Sequence, residues 1–244
     1  MATSASGRIR ARQPTTKDEF TDVPPAFTRT TGSAAMNGGS DVARGGEDGA
    51  LTELFVRGRY PSELETDIVL RTGRTVRLRP VRPDDAVKLD AFHHHLSSDS
   101  IYRRYFSFHP ELSHEEICHL TLVDYVDRLA LVIEDDGELV AVGRYDRYPE
   151  TTAAEVAFLV RDDYQHLGLG HRLLESLAHA AWARGVTTFS AETLATNRAM
   201  MSVFQHSGFH VTSTTSSGEI SVRFSIEPSQ DANSSRLERR AETL

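Results

Sequence analysis

Residues 154–184 constrain this chain more than any other stretch. An apolar run with one carboxylate, AEVAFLV over 154–160, leads through a short polar connector at 161–164 into QHLGLG at 165–170 and then an amphipathic run over 171–184. Val156, Phe158 and Val160 alternate with Glu155, Ala157 and Leu159, which is the period of a strand. Leu169, Leu173, Leu174, Leu177, Ala181 and Trp182 recur at helical spacing, and Gly185 stands where a C-cap belongs. The unit reads as strand, glycine turn, helix. Bare backbone N–H groups and a helix N-terminus at a strand end suit an anionic phosphate.

Two phosphate motifs do not fit this stretch. A dinucleotide fingerprint needs a third glycine at position 173, where Leu173 stands. A P-loop needs Gly-Lys-Ser/Thr, and no such triplet follows Gly170. What remains is Q-x-x-G-x-G, a weak pattern alone, strengthened by its place between a strand and an amphipathic helix.

The flanking chain alternates hairpins and helices. Residues 67–70 and 75–79 are strand-like around a Thr72-Gly73-Arg74 turn, with Pro80 and Pro83 closing the second run. Leu89, Phe92 and Leu96 predict a helix over 84–96, opened by Asp84 and Asp85. The His93-His94-His95 run on it cannot converge on one metal, because neighbours on a helix diverge; it reads as a solvated helix end. Residues 100–108 are aromatic and basic, either a short helix lining a cleft or a packed connector. Ser113 and Glu116 form a capping-box signature for the next helix, which holds Cys118, read as a buried structural thiol. Residues 129–133 and 138–145 predict a second hairpin around Asp136-Gly137. A strand over 187–193, a helix over 197–207 closed by Gly208, and a last hairpin over 209–226 complete the pattern. The expectation is one mixed α+β domain over 60–227. Residues 1–59 and 228–244 are polar tails, with a short helix weighed at 51–56.

Composition narrows the setting. A net charge of −8 argues against broad nucleic-acid binding, which needs clustered Lys and Arg. No apolar run reaches the roughly 18 residues of a membrane helix, and the N-terminus lacks a secretory h-region. One cysteine in 244 residues allows neither an internal disulfide nor a cysteine metal cluster. A cytoplasmic protein without nucleic-acid or membrane partners and without a metal is expected.

Over 76–226 the chain resembles the GNAT superfamily of acyl-CoA-dependent N-acetyltransferases. Gln165 to Gly170 matches that family's Q/R-x-x-G-x-G/A loop, and Asn197 with Gly208-Phe209 matches its N-(x)10-G-F signature. Within the superfamily it is similar to the bacterial Pat-type protein lysine acetyltransferases, at residues 60–70, GRTVRLRP at 73–80, SIYRRYF at 100–106 and AEVAF at 154–158. The resemblance implies a single GNAT-like domain: a mixed, mostly antiparallel sheet with flanking helices and a central strand–loop–helix acyl-CoA site. It implies acetyl-CoA as co-substrate, its pyrophosphate held by Gln165, His166, Leu167, Gly168, Leu169 and Gly170. Phe158, Leu159 and Val160 would be the edge that contacts pantetheine, and Asn197 would touch the same arm. Glu155 occupies the position of the Pat-type general base. The implied acceptor is a protein lysine, for instance on a metabolic enzyme. Two departures stand out. Phe204 replaces a tyrosine that many GNAT enzymes use as general acid. No nucleotide-sensing or ligase domain is recognised, so control by one is not implied.

Chemistry agrees with a base at Glu155. A lysine amine with a pKa near 10.4 costs about 4.6 kcal/mol to present neutral at pH 7. A carboxylate in the cleft, direct or through one water, lowers that cost. The plainer alternative is a solvent-facing strand glutamate, and Glu192 on a neighbouring strand is the reserve candidate. Backbone N–H groups at the end of the Glu155 strand would serve the developing oxyanion. His166 and His171 read as exposed histidines able to add hydrogen bonds. Two other functions stay open: acetylation of a small amine, and a non-catalytic acyl-CoA-sensing module.

Overall fold

The computed structural model describes residues 58–228. The two tails and the short helix weighed at 51–56 lie outside these residues or at their margins. The described residues build one eight-stranded sheet of order β1-β2-β3-β4-β5-β6-β8-β7. The first hairpin pairs β1 (Thr66–Val69) with β2 (Thr75–Pro80), around Gly73 at φ +81°. Helices α1 (Ala86–His94), α2 (Ser98–Tyr105) and α3 (His114–Thr121) follow. β3 (Arg128–Asp135) and β4 (Glu138–Arg147) form the second hairpin, and β5 (Ala153–Val160) adds antiparallel to β4. Helix α4 (Leu169–Trp182) crosses to β6 (Thr188–Leu194), α5 (Arg198–Gln205) follows, and β7 (Val211–Ser216) with β8 (Glu219–Ser225) closes the chain. The last hairpin docks on β6 through β8. Phe224 on β8 is the reason: it is buried among Phe189, Phe204 and Phe209, whereas all of β7 after Val211 is exposed.

Strand alternation sorts the side chains into two layers. Tyr145, Val156 and Phe158 face α4 and α5, where Leu173, Leu174 and Leu177 are buried. Each such side chain contributes about 1.5–3 kcal/mol relative to exposure. Gly143 lets α4 approach β4, since a Cβ there would lie 3.0 Å from Phe158 and 3.1 Å from Leu177. Val142, Arg144 and Asp146 of β4 share the opposite face with Glu155, Ala157 and Leu159. Helices α1, α2 and α3 cover that face.

A buried ion cluster fixes α1. Arg79 donates to both oxygens of Asp85, each at 2.7 Å, and to Glu134 at 2.8 Å; Lys88 also reaches Glu134, at 2.7 Å. Asp85 accepts from the Arg82 backbone N–H as well. Burial pushes the Asp85 carboxyl up, but these donors outweigh it and hold it below the usual range.

Candidate active site

The decisive geometry is a fork between β5 and β6. These two strands run parallel, yet pair only at Ala153–Thr188, Ala154–Phe189 and Glu155–Ser190. Beyond Glu155 they separate. Ala153 C=O and Arg161 N–H bond on the β4 side, and Thr152 C=O on the β6 side. Alternation therefore turns the N–H and C=O groups of Val156, Phe158 and Val160 toward the open edge. Phe158 itself is packed inward against Phe204, with ring centroids 6.4 Å apart. Leu159 faces the opposite layer and Val160 is half-buried.

Glu155 sits at the fork. Its Oε2 is buried and has no hydrogen-bond partner. Glu192 stands on the same face of β6 with its side chain reaching solvent, and partial desolvation together with the Glu155 and Glu219 charges raises its pKa. The Tyr148 hydroxyl stands 3.0 Å from Ser190 Oγ at the same place. Phe204 is 1% exposed and packed on Phe158 and Phe224, so it is a core residue.

The glycine turn lies past the end of β5. Residues 162–164 form a short 3-10 turn in which Tyr164 is buried and donates to Asp135 at 2.8 Å. His166 is exposed at φ +62° and Gly168 adopts φ +85° as the N-cap of α4, with no side chain capping that end. The first amides of α4, at Leu169, Gly170 and His171, thus lack an intrahelical acceptor. Leu169 is buried beneath them, and Leu167 packs against the core. Gly170 is needed for close packing: a Cβ there would lie 3.1 Å from Val203 on α5. Asn197 is buried and caps α5, its side-chain oxygen accepting from Met200 N–H at 3.2 Å.

Gln165 is tied to the opposite layer. Its Nε2 donates to Val160 C=O and to Ser100 Oγ, both at 3.2 Å. Asp162 accepts from Ser97 N–H at 2.9 Å, Ser97 Oγ at 2.7 Å and Ser100 Oγ at 2.8 Å. The start of α2 is therefore latched to the glycine turn.

Several residues here depart from the sequence expectation. His93 is not part of a solvated helix end. It is 1% exposed and both ring nitrogens are without partners. It follows Leu89 by four residues, so helical spacing puts it on the buried stripe. Burial lowers its pKa, helped by His109 and His94. Cys118 is half-exposed, with Sγ 3.6 Å from His114 Nε2 one turn earlier, and not a buried thiol. Residues 100–108 are helical through Tyr105, and of these Arg104 and Tyr105 line a pocket together with Phe92, His93, Arg144 and Leu159. Arg104 and Arg144 were not singled out as site residues. The alternation of Val142, Arg144 and Asp146 in an apolar strand is the visible signal for Arg144.

Among the described residues, no group of three or more His, Cys, Asp or Glu side chains is placed to hold a metal ion. No helix among them is long and apolar enough to cross a membrane.

Comparison with known proteins settles the lineage. Residues 93–209 match the acetyltransferase (GNAT) family. The GNAT domain of a Streptomyces lividans PAT superposes with a TM-score of 0.65, at 38% identity, covering 68% of this chain and 99% of that one. The chain belongs to the GNAT acetyltransferase family. Its GNAT domain is also 35% identical over 144 residues to the acetyltransferase Pat of Mycolicibacterium smegmatis and 33% identical over 144 residues to an acetyltransferase of Pseudomonas aeruginosa. These alignments cover 58% and 57% of this chain. The chain spans 43% of the length of the first relative and 77% of the second. A GNAT assignment makes it an enzyme of the acyltransferase class and agrees with the α+β architecture expected from the sequence.

Proposed function

We propose that the protein is an acetyl-CoA-dependent N-acetyltransferase that modifies protein lysine side chains by direct transfer, with Glu155 as general base. The observation that carries this reading is the fork: three parallel pairs end at Glu155, and the open edge of β5 begins beside it. An extended pantetheine arm has amide groups that suit the backbone donors and acceptors at Val156 and Phe158 on the open edge. The segment from Gln165 to Gly170, with the uncapped start of α4, offers backbone donors to the pyrophosphate. Asn197 would contact the same arm where α5 begins.

Glu155 and Glu192 make the approach to the fork acidic, which favours an ammonium group arriving there. Glu155 takes the amine proton as the nitrogen attacks the thioester carbon. The C–N bond forms, the C–S bond breaks, and the electron pair leaves on sulfur, where a proton then completes the free thiol. A backbone N–H of the open β5 edge stabilises the oxyanion between these steps. With Phe204 in the core, water serves as the proton source for the thiolate. Tyr102 and Phe108 are exposed apolar residues on and after α2, and they give a folded acceptor something to rest on.

Acetyl-lysine mass spectrometry of lysate proteins incubated with the enzyme and acetyl-CoA tests this. New acetyl-lysines that need both components support it. Thiol release only with free small amines would move the acceptor to a metabolite.

A further inference from the structure

The pocket beneath α1, α2 and α3 carries more donors than the proposed acetyl transfer uses. Arg104 points from α2 into a small, open-mouthed cavity of about 40 Å³, and its side chain makes no hydrogen bond or ion pair among the described residues. Its guanidinium lies 5.3 Å from the centre of the Tyr105 ring. Arg144 lines the same cavity from β4; its Nε is buried and without a partner, although another of its nitrogens reaches Asp146 at 3.3 Å. His93 joins them from α1 with both ring nitrogens unpaired. Three elements thus aim unmatched N–H donors into a space otherwise walled by aliphatic and aromatic side chains. Charge is unmatched too. Asp146 is shared between Arg128 and Arg144, and no carboxylate among the described residues forms an ion pair with Arg104. Burial and the nearby Arg144 push the Arg104 guanidinium below its ordinary range, as expected of a cation without a counterion.

We propose that this pocket is a carboxylate site that accepts the free end of a dicarboxylic acyl group, making a short carboxylate-tipped acyl-CoA a second donor for the enzyme. The cavity is walled by Ala157, Phe158 and Leu159, the segment of β5 that would carry the pantetheine arm, and so it adjoins the position of the acyl carbon. A guanidinium and a carboxylate form a short, charge-assisted pair. The neutral His93 ring supplies one further N–H. The acyl donor is the better source of that carboxylate than the acceptor, because an anionic acceptor would enter past Glu155 and Glu192. The transfer is the same as before. The amine nitrogen bonds to the thioester carbon, the C–S bond breaks, the thiolate leaves, and the amine proton goes to Glu155. The terminal carboxylate is unchanged and converts a cationic lysine into an anionic side chain.

This rests on the acyl-CoA reading above, and calorimetry separates the two. Succinyl-CoA and butyryl-CoA share a four-carbon acyl chain and differ in the terminal carboxylate. Succinyl-CoA is expected to bind about tenfold tighter than butyryl-CoA, the size of one good charge-assisted contact. Arg104→Met should erase that preference and leave the affinity for free coenzyme A within about twofold. Its melting temperature checks the fold, and the wild-type comparison stands without it. Equal or weaker binding of succinyl-CoA, or a preference untouched by Arg104→Met, overturns the carboxylate site alone. A failure of coenzyme A itself to bind overturns both readings.

Discussion

Glu155 stands directly opposite Asp146 across the β4–β5 ladder, and the two carboxylates have different surroundings. Asp146 is held by Arg128 at 3.1 Å and Arg144 at 3.3 Å. Glu155 keeps one buried oxygen with no partner. Like charges facing each other across a ladder destabilise a sheet, and the arginines on Asp146 offset that cost. In the proposed mechanism this arrangement makes Glu155, not Asp146, the carboxylate that meets the acceptor amine.

The latch at Asp162 should matter for the donor thioester. It joins the start of α2 to the turn carrying Gln165. Asp162→Ala is expected to raise the KM for acetyl-CoA about tenfold, some 1.4 kcal/mol. Steady-state kinetics at saturating acceptor would show it. An unchanged KM would mean the turn keeps its shape without α2.

Gly170 is constrained by Val203. Gly170→Val should overpack the α4–α5 contact and cost about 1–3 kcal/mol of stability. It should also displace the first amides of α4 and weaken coenzyme A binding. Urea unfolding and calorimetry measure the two effects. The double variant Gly170→Ala with Val203→Ala should recover stability if crowding is the cause.

Asp85 gives the acid limit of the fold. Its carboxyl is depressed in the folded state, so its contribution is present above the unfolded value near 3.9 and is lost as pH falls through the folded value. Asp85→Asn leaves Arg79 buried with only Glu134 and should cost about 3–5 kcal/mol at neutral pH. The same variant should lose less stability than wild type between about pH 4 and about pH 2, as read from urea midpoints. A variant as stable as wild type at pH 7 would contradict the clamp.

Much of this architecture is readable in the chain. Gly73 and Gly137 at positive φ mark hairpin turns, the Ser113–Glu116 capping box opens α3, and the run from Glu155 to Gly170 announces strand, turn and helix. What local pattern cannot give is pairing over distance. That β8 rather than β7 meets β6 depends on where Phe224 finds Phe189 and Phe204, far away in sequence. The fork is likewise a property of two strands separated by α4. Three consecutive histidines suggest a polar helix end, while the spacing of His93 from Leu89 points it inward. Arg104 and Arg144 acquire meaning only once α2 is laid over β4 and β5.

Proton removal by Glu155 is the centre of the proposed mechanism. Glu155→Gln keeps the shape and hydrogen-bonding reach of the side chain but cannot accept the amine proton. The direct measurement is single-turnover acetyl transfer to a protein acceptor, with acetyl-CoA affinity determined in parallel. Transfer is expected to slow about 10²–10⁴-fold while affinity stays within about twofold. Transfer at the wild-type rate in Glu155→Gln would contradict the account.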